Sequence, residues 1–192
     1  MKRVFLIRHG ETMANIKHQY CGSSDLSLSD EGKEKLKDLI SLYDDVSNDS
    51  IFITSGMKRA NESLNILFGD VKKEEYPGLK EMDFGPFELK TYEELKDDKE
   101  YQLWIQDTFN NKIKGGESFA IQRKRVLSAY DEIIQKYKNI DKDVIILAHG
   151  GTIFHIIDNL FKEGKYVYEI QPASGHAYVI DYTKEIISYE KR

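Results

Sequence analysis

Cysteine is almost absent from this chain. A single residue, Cys21, excludes an intramolecular disulfide and points to a reducing, cytoplasmic setting. Long apolar runs are missing as well. The longest have about the length of a strand, far short of the ~20 residues that span a bilayer. The opening residues, MKRVFLIRHGE, return to charge after four apolar positions, so they do not read as a signal peptide. In that setting the Asn-x-Ser sequons at Asn48 and Asn61 are chance matches. An excess of positive charge is lacking too: the net charge is -5, which gives no basic face for a phosphate backbone and argues against nucleic-acid binding. A small anionic ligand remains open, because a few arginines in an acidic protein can hold one. No internal linker, low-complexity tract or repeat period interrupts the chain.

What is present is the balance of a folded protein, with 40% hydrophobic and 32% charged residues, Gly 13 and Pro 3. At 192 residues the chain is expected to form a single domain, 1–192, and a domain of that size buries about 70% of its unfolded surface. Three short aliphatic runs, at residues 3–7, 51–54 and 144–148, show little polar alternation and read as strands of a parallel sheet buried on both faces. Between them, helical spacing covers 30–42, 57–68 and 117–137, with one or two shorter helices in 92–110. A further strand is expected around 75–79. The segment 177–190 reads as two strands joined by a tight turn, one of them reversed against its neighbour. The fold class is therefore α/β.

Two stretches carry the chemistry. VFLIRHGET, at 4–12, ends an apolar run in Arg8 and His9, and VIILAHGGT, at 144–152, ends another in His149. Ligands of such sheets bind beyond the carboxyl ends of the strands, and TSGMKRA, which follows the run at 51–54, opens a helix there with Lys58 and Arg59. Arg8, His9, Arg59 and His149 thus converge on one edge. Paired arginines match a phosphate dianion, and cations can stabilise a phosphoryl transition state without a metal. A neutral imidazole can attack phosphorus, and adjacent arginines keep it neutral. A general acid is still needed for the leaving alcohol, worth ~10² to 10⁴ in rate. Glu81, in LKEMDFGPFE, is the chosen carboxylate, although spacing alone does not separate it from Glu11, Asp83 or Glu88.

The ordered blocks IRHGETMAN, YCGSSDLSLSDEG, TSGMKRA, LKEMDFGPFE and LAHGGT resemble the histidine phosphatase superfamily, in its phosphoglycerate mutase-like branch, over almost the whole chain. That resemblance implies a three-layer α/β/α sandwich around a mostly parallel sheet of about six strands, one of them antiparallel. It implies a phosphohistidine on His9, a proton donor at Glu81, and phosphate binding by Arg8, Arg59, His149 and Asn15. It calls for no metal and no cofactor. The chain also departs from the pattern, with Phe87, Glu88 and Leu89 where many members have Trp-Glu-Gly, and without the proline of the usual SSPL block.

Within the superfamily the short chain favours a phosphatase over a mutase. The YCGSSD and GGESF blocks look most like the α-ribazole phosphatase-like group, which acts on a nucleotide-like intermediate of cobalamin assembly. Cys21, Gly22 and His176 are candidate substrate contacts, Lys58 a solvated first-turn cation, and His18 and His155 loop and helix-face residues without metal-ligand spacing. The expected partner is a small phosphorylated metabolite, with no nucleic acid and no membrane, for a monomer or homodimer. The alternatives are mutase-type phosphoryl transfer and a non-catalytic phosphate-binding module.

Overall fold

The computed structural model describes residues 1–162, 167–183 and 188–192. The three apolar runs become β1 (Arg3–Arg8), β2 (Ile51–Thr54) and β4 (Val144–Ala148), and with β3 (Lys73–Glu75), β5 (Ala177–Asp181) and β6 (Ser188–Lys191) they form a six-stranded sheet ordered β3-β2-β4-β1-β5-β6, in which the three runs lie side by side and parallel at the centre. Alternation decides which face each residue serves. Val4, Leu6, Ile53, Val144 and Ile146 pack under α6 (Phe119–Tyr137) and α7 (Gly150–Phe161). Phe5, Ile7, Phe52, Ile145 and Leu147 pack on the other face with Leu36 of α2 (Asp30–Asp38) and Leu64 of α3 (Lys58–Phe68). Helices on both faces make the three-layer sandwich, and each fully buried aliphatic side chain contributes roughly 1.5–3 kcal/mol before the entropy cost of folding.

Local signals set the helix ends. Ser29 Oγ accepts the Gly32 N–H at 3.0 Å to start α2, and Ser118 Oγ accepts the Ile121 N–H to start α6. Gly69, at φ 76, stops α3. The helix expected over 30–42 ends at Asp38 and continues as a 3₁₀ turn, Ile40–Tyr43. The segment 92–110 holds α4 (Tyr92–Leu95) and α5 (Lys99–Gln106). The strand expected around 75–79 lies earlier, as β3 (Lys73–Glu75), because Pro77 has no N–H for a ladder and opens the 3₁₀ turn Pro77–Leu79 instead. Two short helices were not read in the sequence: α1 (Met13–Ile16) and α8 (Val167–Ile170).

The chain returns as β5 (Ala177–Asp181), antiparallel to β1, and then β6 (Ser188–Lys191), antiparallel to β5. The tight turn expected between them falls outside the described residues. Because β5 is the reversed strand, its first residue stands level with Ile7, at the carboxyl edge of β1. Over that edge sits a smaller core of Met82, Phe87, Leu95, Tyr101, Trp104 and Ile113, with Tyr20, Phe84 and Phe119 packed against it. Among the described residues no helix is long and apolar enough to cross a membrane.

Candidate active site

Three parallel strands end together and hand over three polar residues in succession: His9 after β1, Ser55 after β2 and His149 after β4. His9 is only 5% exposed. Its Nδ1 lies 2.6 Å from the Gly10 carbonyl, which can only accept, so Nδ1 carries the proton and Nε2 keeps a lone pair. Burial pushes the pKa of His9 well below the ordinary 6.5, and Arg59 and Arg8 push it further against the Gly10 carbonyl. The imidazole is therefore neutral at physiological pH. His149 is wholly buried, with Nε2 2.8 Å from Ser55 Oγ. That hydroxyl also accepts the Met57 N–H at 3.4 Å and can give its own hydrogen to Nε2, the arrangement in which the His149 proton sits on Nδ1.

The arginines are held by carbonyls. Arg59, 0% exposed at the start of α3, donates from Nη1 to Ser24 O and from Nη2 to Gly22 O, each at 2.8 Å. Arg8 donates from Nη1 to Pro172 O at 3.0 Å. Neither head is satisfied. Among the described residues the buried Arg8 Nε, Arg59 Nε and His149 Nδ1 have no hydrogen-bond partner. An unpaired buried donor costs about 1–3 kcal/mol, and three from one constellation fit an oxyanion. Asn15 adds a fourth donor: its Oδ1 accepts from Thr12 N and Oγ in a capping box, which leaves the amide NH₂ for the cleft it lines.

That cleft encloses about 310 Å³, with Arg8, His9, Asn15 and Glu81 on its polar side and Tyr20, Phe84 and Phe119 on its aromatic side. Glu81 Oε1 accepts from Met82 N at 3.0 Å and Gln122 Nε2 at 2.6 Å, and Oε2 accepts from Gly151 N at 3.0 Å. The three competing carboxylates are engaged elsewhere. Glu88 gathers the backbone N–H groups of Gly22, Ser23, Ser24 and Phe84, a loop-joining role. Asp83 takes Ser23 Oγ and Gly85 N, and Glu11 pairs with Lys35 at 2.8 Å. Of the four carboxylates that spacing left open, Glu81 is the one that lines the cleft.

The remaining sequence candidates are divided. Cys21 lines the cleft, half-buried, and burial raises its thiol above the ordinary value. Gly22 is not among the lining residues: its N–H serves Glu88 and its carbonyl serves Arg59, and a Cβ there would stand 1.6 Å from Met82 O. His176 reaches the expected edge but opens into a neighbouring groove with Gly10, Glu11, Lys35 and Ser174, its Nδ1 3.0 Å from Arg192 O. Lys58 is exposed, as expected of a solvated cation. Sequence reasoning missed Ser55 and Gln122. Ser55 follows a strand end directly, and Gln122 is a polar residue one turn from Phe119 and Val126 on the buried stripe of α6.

The sequence matches the histidine phosphatase superfamily (branch 1) over residues 4–190. The chain belongs to the histidine phosphatase superfamily. It is 31% identical to the adenosylcobalamin/alpha-ribazole phosphatase of Escherichia coli (strain K12) over 165 residues, which cover 82% of this chain and 78% of that protein. It is 28% identical to a fructose-2,6-bisphosphatase of Saccharomyces cerevisiae over 156 residues, 79% of this chain but 32% of that protein. Among solved structures, the alpha-ribazole phosphatase from Shigella flexneri superposes with a TM-score of 0.85 at 26% identity, covering 98% of this chain and 94% of that one. A phosphoglycerate mutase from Bacillus anthracis, at 21% identity and a TM-score of 0.82 over 100% of this chain and 92% of that one, shares the fold. This histidine phosphatase is a phosphoric monoester hydrolase.

Proposed function

We propose that this histidine phosphatase hydrolyses a small phosphomonoester in two displacements at His9. The lone pair on His9 Nε2 attacks phosphorus, the ester P–O bond breaks, and the proton of Glu81 passes to the departing alkoxide. Water then attacks the phosphohistidine, yields its proton to the Glu81 carboxylate, and the N–P bond breaks to return neutral His9 and inorganic phosphate. Arg8, Arg59, Asn15 and His149 donate to the phosphoryl oxygens through both steps, where charge stabilisation by prepositioned donors is the largest contribution. The observation that carries this reading is the trio of buried, unpartnered donors beside a neutral imidazole.

The favoured substrate is an ester of a neutral, ring-bearing alcohol, with α-ribazole phosphate as the first candidate. Tyr20, Phe84 and Phe119 offer flat apolar faces to a leaving group, and the relatives named for alpha-ribazole phosphatase match most of the chain. The setting would be the cytoplasm, which fits a chain with one cysteine.

The deciding experiment is a screen of phosphorylated metabolites, including α-ribazole phosphate and 3-phosphoglycerate, run with a generic aryl phosphate in chelator. Phosphate release by wild type and its loss in His9→Ala are expected. Inert wild type, or a His9→Ala variant with wild-type turnover, would overturn the reading, and isomer exchange without net phosphate release would identify a mutase. Glu81→Ala should slow esters of poor leaving groups far more than those of good ones; equal losses would remove Glu81 from the acid's role.

A further inference from the structure

Glu81 does not stand alone at the cleft. Behind it, on the long helix α6, the side chain of Gln122 is 0% exposed and donates from Nε2 to Glu81 Oε1 at 2.6 Å. Behind Gln122, on α7, His155 is equally buried, and its Nε2 lies 3.1 Å from Gln122 Oε1. A polar pair in the middle of an apolar helix interface costs stability unless it is fully bonded, and an apolar pair could fill the same space. We propose that Gln122 and His155 form a buried relay of positioning residues that holds the Glu81 carboxyl by Oε1 and leaves Oε2 as the oxygen that exchanges the proton. The inference rests on the phosphatase reading, because it concerns the acid of that reaction.

Hydrogen-bond direction makes the relay one-way. Gln122 Oε1 can only accept, so His155 must carry its proton on Nε2, which leaves its buried Nδ1 bare. An unpartnered lone pair is tolerated where an unpartnered N–H is not. With the Gln122 oxygen held by His155, its NH₂ has to face Glu81 and cannot turn over. Oε1 of Glu81 then receives two donors, Met82 N and Gln122 Nε2, whereas Oε2 receives only the Gly151 N–H. The less engaged oxygen is the one with a lone pair left to hold the proton that passes to the leaving group.

His155 does not itself titrate in the working range, since burial first and then Arg123 and Arg125 push it down to about 3. Among the described residues, the titratable and charged groups that face Glu81 are Arg8 at the end of β1 and His9 after it, Cys21 from the loop after α1, Arg125 from α6, whose Nη2 reaches the Glu81 carbonyl at 3.3 Å, and His155 from α7 by way of Gln122. Among the described residues, only the Gln122 amide hydrogen-bonds the carboxylate through a side chain.

The test compares wild type, Gln122→Leu and His155→Phe on an alkyl phosphate and an aryl phosphate. Gln122→Leu should lose about tenfold or more in kcat/KM on the alkyl ester and less than about threefold on the aryl ester, since only the former needs a well-placed acid. The loss should appear in kcat and leave KM nearly unchanged, because placing the acid acts on the transition state and not on binding of the phosphoryl group. His155→Phe should move both readouts the same way by less, and the double variant should match Gln122→Leu alone, the non-additivity of one chain of contacts. Equal losses on both esters would overturn the relay. A readout independent of turnover and of any variant is the ¹⁵N spectrum of His155 in wild type: the Nε2–H form is expected, and the Nδ1–H form would overturn the proposal. If wild type were inert, the phosphatase reading would fall and the tautomer would still decide the relay.

Discussion

The imidazole rings of His9 and His149 meet edge to face, with centroids 5.0 Å apart and planes at 61°. The contact follows from the sheet. β1 and β4 are parallel neighbours with Arg8 level with Ala148, and the His9 N–H donates to the Ala148 carbonyl at 3.0 Å, so the residue after each strand must lie beside the other. The repeated His-Gly of the sequence is therefore one pocket seen twice.

The first prediction concerns the covalent step. Rapid quench of wild type with a slow substrate should trap a phosphoenzyme that is labile in acid and stable in base, as a phosphoramidate is, and ³¹P spectra should place it on a histidine. His9→Ala should trap none and lose on the order of 10³ or more in kcat. A base-labile or serine-borne phosphate would count against Nε2 of His9 as the attacking atom.

A second prediction follows from burial of neutral histidines. His9 and His149 are pushed well below 6.5 and His155 to about 3, in each case mainly by burial. Between those values and 6.5 the unfolded chain binds protons that the folded chain refuses. Stability is then full above about pH 6.5 and falls as pH drops, by up to about 1.4 kcal/mol per pH unit for each ring. Urea midpoints measured from pH 7.5 to 5 should decline accordingly, and His155→Phe should flatten the decline. A midpoint unchanged over that range would mean that the rings accept protons while folded.

The readability of this molecule follows the range of its interactions. The central strands, their carboxyl edge and the Arg8-His9-Gly10 turn were legible because runs such as VFLI and VIIL are local and buried on both faces. Spacing did not separate Glu81 from Glu88, because what differs between them includes the loop amides of residues 22–24, which reach Glu88 across more than 60 positions of chain. His176 shows the limit from the other side. The reversed β5 does bring it to the catalytic edge, yet its carbonyl accepts the Arg8 N–H and its ring turns to Arg192 at the chain end, so it opens into the adjacent groove. Gln122 and His155 are visible only once α6 is packed on α7.

A third prediction uses the close approach at Gly151. A Cβ on this residue would stand 2.5 Å from Glu81 Oε1 and 3.1 Å from Gln122 Nε2. Gly151→Ala should therefore displace the carboxylate from the Gly151 N–H while leaving His9 and its donors in place. The expected result is a loss on alkyl esters that approaches that of Glu81→Ala, with phosphate or vanadate binding changed by less than about threefold. Inhibition constants measured beside turnover separate the two, and an unchanged alkyl ester rate would show that the acid does not need this contact.

The last prediction is about stability and comes from Leu89. This residue holds φ at 60, where a Cβ crowds the backbone. The conformation is imposed from both sides: the Leu89 N–H donates to Tyr20 O at 2.8 Å, and its carbonyl accepts from Gln19 Nε2. Little packing offsets the strain, since the side chain is 39% exposed. A left-handed non-glycine residue costs roughly 1–2 kcal/mol, and glycine returns part of that through its greater freedom in the unfolded chain. Leu89→Gly should thus stabilise the protein by up to about 1 kcal/mol, read as a rise of a few degrees in Tm. Leu89→Ala is the control, because it removes the same side chain and keeps the Cβ. If Ala and Gly shifted Tm equally, the gain would come from lost hydrophobic exposure rather than from relief at the backbone.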